Sequence, residues 1–153
     1  MNMDFRIIPA DTELIPQMLK IENASFSDPW KEELFNFYFS ARAGTVLAAV
    51  SPVSELELFG FIAATIVPPE CFIDSVAVAP EHRRKGIAKA LLAAVGGDFE
   101  VTLEVRESNL AARELYYSLG FELLCVRKNY YDNPTENALV LRKNAVGHEK
   151  RTC

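Results

Sequence analysis

Ile73-Asp74-Ser75-Val76-Ala77-Val78-Ala79-Pro80-Glu81-His82-Arg83-Arg84-Lys85-Gly86-Ile87-Ala88-Lys89-Ala90-Leu91-Leu92 is the stretch on which the reading of this chain turns. From Cys71 to Val78 it is a weakly alternating, β-prone run that stops at Pro80. Ile87, Ala88, Ala90, Leu91, Leu92 and then Val95 repeat at helical spacing until Gly96-Gly97 ends them. A basic turn joins the two. Such a strand-to-helix turn gathers unpaired backbone N–H groups and the positive end of a helix dipole at one spot, which makes an anion site. Gly86 lets the backbone approach a ligand, Ala88 is small beside it, and Arg83, Arg84 and Lys85 add charge suited to a pyrophosphate. The turn has no Gly-x-x-x-x-Gly-Lys-Ser/Thr run and no three-glycine dinucleotide fingerprint, and taken alone a basic turn before a helix is more often a solvated surface feature.

Working outward toward the N-terminus, Thr45 to Val50 and Leu58 to Val67 form two β-rich runs around the turn-like Ser51-Pro52-Val53-Ser54-Glu55, which predicts a hairpin closed by Pro68-Pro69. Asp28-Pro29-Trp30 predicts a helix start, an aspartate cap with proline in the first turn, followed by Leu34, Phe35 and Tyr38 on the apolar side. Leu14, Ile15, Met18, Leu19 and Ile21 lie on one face of an earlier helix, after a short strand at Phe5-Arg6-Ile7-Ile8. Toward the C-terminus, Glu100 to Val105 reads as a strand. Asn109 can cap a helix carrying Ala112, Leu115 and Leu119, which Gly120 can end. Two strands, near Phe121 to Tyr130 and Asn137 to Arg142, complete the pattern. The sum is a single α/β domain over 1–143, mainly antiparallel with some parallel pairing in the second half, and a polar tail over 144–153.

Composition bounds the function. The chain has 153 residues, half of them hydrophobic and 24% charged, which suits one folded globular domain. A net charge of -5 argues against a broad nucleic-acid-binding face and mildly favours a cationic partner. Cys71, Cys125 and Cys153 have no metal-type spacing and are odd in number, so reduced thiols in a cytoplasmic protein are expected. No apolar run has the length of a membrane span or a secretory core, and no ligand cluster suggests a metal.

The stretch from Ile73 to Leu92 resembles the cofactor motif of the GCN5-related N-acetyltransferases, with Ala88 standing where many members have glycine. Leu103-Glu104-Val105-Arg106-Glu107-Ser108-Asn109, Ala112, Leu115-Tyr116 and Ser118-Leu119-Gly120-Phe121 are similar to the ribosomal-protein-alanine branch of that family. Arg127-Lys128-Asn129-Tyr130-Tyr131 continues the likeness, and Phe26-Ser27-Asp28-Pro29-Trp30 does so more loosely, over roughly residues 4 to 143. The resemblance implies a mixed sheet of about six to seven strands flanked by about four helices. It implies acetyl-CoA as co-substrate, with Val76, Ala77 and Val78 holding its acetyl and pantetheine portion in a splayed gap between strands. Arg83, Arg84, Lys85, Gly86, Ile87, Ala88 and Lys89 would hold the pyrophosphate, and Asn109 would also touch the cofactor.

Acetyl transfer to an amine needs a base, an oxyanion donor and an acid. By the resemblance Glu104 is the base, the Val78 N–H the oxyanion donor and Tyr116 the acid. Read without it, they are a solvent-facing strand glutamate, an ordinary strand residue and a core tyrosine. The resemblance likewise assigns Tyr130 and Tyr131 to the acceptor peptide's backbone, against a bland reading as sheet packing, while Trp30 could line the acceptor groove or anchor the core. No cysteine or histidine sits in a nucleophile context, so direct attack in a ternary complex is expected. At pH 7 about one α-amine in ten is neutral against a few lysines in ten thousand, which makes a protein N-terminus the easier acceptor. The expected substrate is the N-terminal alanine of a small-subunit ribosomal protein. The rivals are another protein or small amine as acceptor, and a non-catalytic acetyl-CoA sensor.

Overall fold

The structure, a computed structural model, describes residues 4–145; most of the polar stretch 144–153 lies outside them. Seven strands and four α-helices follow in the order β1 (Arg6–Pro9), α1 (Ile15–Ser25), α2 (Glu32–Ser40), β2 (Gly44–Ser51), β3 (Ser54–Val67), β4 (Glu70–Val78), α3 (Ile87–Gly96), β5 (Glu100–Arg106), α4 (Leu110–Ser118), β6 (Glu122–Tyr131) and β7 (Glu136–Lys143). All strands join one sheet in the order β1-β2-β3-β4-β5-β7-β6. Every pairing is antiparallel except β4 with β5, where α3 supplies the crossover that a parallel pair requires. The expected mixed, mainly antiparallel α/β fold is the one observed.

Each face of the sheet carries its own core. On one side Ile87, Leu91, Leu92 and Val95 of α3 and Tyr116 of α4 pack with Ile62, Ile73, Leu103 and Leu141. On the other, Ile15, Met18 and Ile21 of α1 and Phe35 of α2 pack with Val46, Phe61 and Ala77.

A bulge in β4 sets up the rest of the molecule. Ala63 faces Ser75 and Ala64 faces Ile73, so Asp74 is the extra residue. One extra residue reverses which face each later side chain takes. Cys71 and Ile73 accordingly belong to the α3 side, whereas Ala77 and Ala79 belong to the α1 side. This phase change is the physical reason that the alternation from Cys71 to Val78 is weak in the sequence.

Two expectations are corrected. Helix α2 starts at Glu32, not at Asp28-Pro29-Trp30, and Lys31 rather than Asp28 occupies its cap position. The Trp30 N–H is instead taken by the Glu22 carboxylate at 3.2 Å, which holds this segment outside the helix. The hairpin turn is confined to Pro52-Val53, so β3 begins at Ser54 and not Leu58. Cys71 is a free, buried thiol, and Cys153 lies outside the described residues. Among the described residues no helix is long and apolar enough to cross a membrane.

Candidate active site

β4 and β5 pair from Glu70↔Glu100 to Ile73↔Leu103 and no further, although β4 continues to Val78 and β5 to Arg106. Pairing stops where the Asp74 bulge begins. Beyond it β4 stays joined to β3 as far as Gly60↔Val78. The Ala79 N–H donates to Phe59 O across that join at 2.8 Å, so strand alternation turns the backbone of Val78, and of Val76 before it, toward the side that β5 has left. A gap lined by the backbone of Val76 and Val78 results, whereas Ala77 turns its backbone to β3. Gly60 belongs to the same arrangement, because a Cβ there would meet Ala77 O at 2.9 Å.

A cleft of about 620 Å³ opens at this divergence. Its walls bring together Val76, Glu104, Asn109, Tyr116, Trp30 and Tyr131, which are distant in sequence. Glu104 and Arg106 share the partly exposed face of β5, two residues apart, while Leu103 and Val105 point into the core. Glu104 Oε1 lies 3.8 Å from Arg127 Nε, and a hydrogen bond to Glu104 raises the pKa of the Tyr130 phenol. Tyr116 is held by the α4 register. The Asn109 side chain caps this helix by accepting from Ala112 N–H at 3.2 Å, and Tyr116 is its buried residue, packed edge-on to Phe121. Burial pushes the Tyr116 phenol up to about 12.

The basic turn lies outside the walls of this cleft, at the entry to α3. Arg84 (φ 63°) and Gly86 (φ 80°) both adopt the left-handed region, which folds the turn back over the helix start. A Cβ on Gly86 would meet nothing within 4 Å, so its torsion, rather than crowding, is what calls for glycine. Arg83 reaches back toward the cleft, where its Nε donates to Val78 O at 3.1 Å and its Nη2 to Ser25 Oγ at 3.2 Å. Arg84, Lys85 and Lys89 are exposed, and the first N–H groups of α3, from Ile87 to Lys89, have no preceding helical turn to receive them.

Tyr130 and Tyr131 end β6 rather than lying between the last two strands, and their rings meet edge-on. Tyr130 is exposed and outside the cleft walls, whereas Tyr131 lines them. Trp30 is half-buried and serves both readings offered for it, since it stacks on Tyr38 at 5.0 Å and also lines the cleft.

Glu22 is the cleft residue that the sequence reading missed. It is 1% exposed, its Oε1 accepts from Trp30 N–H and its Oε2 from Ser75 Oγ at 3.1 Å. Ser75 faces it because of the bulge at Asp74. Burial raises the Glu22 carboxyl from 4.5 to about 7 against both hydrogen bonds. A signal was present: Glu22 falls at i+4 from Met18 and i+7 from Ile15, on the apolar stripe of α1. Among the described residues no group of acidic, histidine or cysteine side chains could hold a metal ion.

Comparison with known proteins agrees with this geometry. Residues 15–121 match the model of the acetyltransferase (GNAT) family. The chain is 30% identical over 139 residues to the [ribosomal protein bS18]-alanine N-acetyltransferase of Escherichia coli K12, covering 86% of this chain and 91% of that one. The Salmonella typhimurium enzyme of the same name is 30% identical over 141 residues, covering 88% and 85%. The crystal structure of the ribosomal-protein-S18-alanine N-acetyltransferase from Escherichia coli superposes with a TM-score of 0.82 at 26% identity, over 97% of this chain and 98% of that one. Arabidopsis thaliana NAA60 bound to acetyl-CoA shares the fold, with a TM-score of 0.82 at 20% identity over 94% of this chain and 99% of that one.

Proposed function

Because the chain belongs to the acetyltransferase (GNAT) family and is an N-acetyltransferase, we propose that it transfers the acetyl group of acetyl-CoA to the α-amine of a protein N-terminus, the N-terminal alanine of a small-subunit ribosomal protein. The observation that carries the reading is the meeting of Glu104 and Tyr116 in the lining of one cleft, at the point where β4 and β5 part. The relatives named for bS18 alanine support the substrate.

Acetyl-CoA, when bound, supplies an activated thioester. The strand gap suits its amide-bearing arm, since Val76 and Val78 turn backbone groups toward it. The N–H groups of Ile87, Ala88 and Lys89, with Arg83, Arg84 and Lys85, suit its pyrophosphate, and Gly86 shapes the turn. Asn109 keeps α4 in register at the cleft edge. Glu104 accepts the proton of the incoming amine, directly or through water. The Val78 N–H group holds the carbonyl oxygen as charge develops on it. Tyr116, protonated at neutral pH as an ordinary phenol is, gives its proton to the departing thiolate. Trp30 and Tyr131, which line the cleft with Glu104, and Tyr130, hydrogen-bonded to Glu104, are the residues assigned to the acceptor chain. An α-amine is the apt nucleophile because a useful fraction of it is already neutral near pH 7. The test is acetyl transfer to an N-terminal alanine peptide by wild type and Glu104→Gln, with acetyl-CoA affinity measured alongside. Unaltered turnover by the variant would remove Glu104 from the base role.

A further inference from the structure

Arg106 ends β5 and lines the same cleft as Glu104. Five groups converge on its guanidinium. Nη1 donates to Pro134 O at 2.9 Å and to Glu136 Oε1 at 3.2 Å, and Nη2 donates to Asp132 O and to Ser27 Oγ at 3.3 Å. Its planar face lies 4.5 Å from the centre of the Tyr131 ring. These partners come from two separate pieces of chain. Tyr131 at the end of β6, Asp132 and Pro134 in the turn and Glu136 at the start of β7 form one piece, and Ser27 belongs to the α1–α2 segment that leads to Trp30. No backbone pairing joins those two pieces, because β6 is an edge strand and 26–31 is irregular. Glu136 extends the connection, since its second oxygen accepts from Ser108 N–H at 2.6 Å, next to the residue that caps α4.

We propose that Arg106 is a positioning residue that clasps the β6–β7 turn to the α1–α2 segment and so sets the width of the acceptor mouth. The proposal rests on the acceptor-side reading given above. Only a guanidinium can satisfy it, because a planar fork with five donors serves several fixed carbonyls at once while stacking on a ring, and an ammonium cannot. Removing the fork leaves the two walls free to move apart. It leaves the acetyl-CoA cradle intact, since that cradle is built by β4 and the start of α3.

The test compares wild type, Arg106→Lys and Arg106→Met. Lysine keeps the charge, and methionine keeps an apolar stem against Tyr131. The expected result is a rise in KM for the acceptor peptide of about ten-fold in both variants, with kcat changed much less and acetyl-CoA affinity unchanged. Amide hydrogen exchange is expected to quicken in both the Asp132–Asn137 turn and the Ser27–Trp30 segment, and not in α3. An unchanged peptide KM, a loss shared equally with acetyl-CoA affinity, or quickened exchange in only one of the two segments overturns the clasp. If the wild type acetylates no peptide at all, the substrate reading fails, and the exchange pattern still decides whether the two walls are joined through Arg106.

Discussion

Glu22 makes the stability of this protein depend on pH in a way that one substitution isolates. Its carboxyl is fully buried and its pKa is raised from 4.5 to about 7, chiefly by burial. A raised carboxyl pKa means that the folded state binds the proton more tightly than the unfolded chain. The stability it contributes is therefore complete below about pH 4.5, falls as pH rises, and is lost once pH passes about 7. At about 1.4 kcal/mol per unit, the displacement corresponds to about 3 kcal/mol. Glu22→Gln removes the titration while keeping an acceptor for the Trp30 N–H and a partner for Ser75. Urea denaturation of both proteins from about pH 4 to about pH 8 gives the difference in unfolding free energy, and taking the difference cancels the titration of every other group. The account predicts that the variant gains on the wild type across that window by roughly 3 kcal/mol and that the gain levels off above neutrality. A difference independent of pH, or one that grows toward acid, refutes the reasoning.

Glu104→Gln lowers kcat by about two to four orders of magnitude while acetyl-CoA affinity, read by calorimetry, stays within error of wild type. Tyr116→Phe removes the proton donor but keeps the ring packed against Phe121; kcat falls by at least about ten-fold with little change in melting temperature, whereas a purely structural tyrosine would show neither. Gly86→Ala places a side chain on a left-handed residue at a cost of about 1–2 kcal/mol; because a Cβ there finds open space, the strain should appear as weaker acetyl-CoA binding together with a lower denaturation midpoint.

Much of the fold was legible because its signals are local. The strand, basic turn and helix between Ile73 and Val95, the Asn109 cap and the Gly96-Gly97 stop each depend on neighbours a few residues away, and each appears where the pattern places it. What remained hidden was set by distant partners. The Asp74 bulge shows in the sequence only as a weak alternation, yet it ends β4–β5 pairing and opens the gap. The start of α2 looked fixed by Asp28-Pro29, but a carboxylate eight residues earlier claims the Trp30 N–H and holds the segment out of the helix. The hydrogen bonds that converge on Arg106 come from residues 26 to 79 positions away, which no local motif reports. Glu104 and Tyr116 were singled out through family resemblance, since by pattern alone they are a strand glutamate and a core tyrosine.

The most direct test of the central claim is acetyl transfer from labelled acetyl-CoA to a peptide bearing the N-terminal sequence of the small-subunit ribosomal protein, beside the same peptide with its α-amine blocked. The account predicts label in the free peptide alone, located on the alanine nitrogen. Label in both peptides, or in the blocked one only, would contradict it and make a side-chain amine the acceptor.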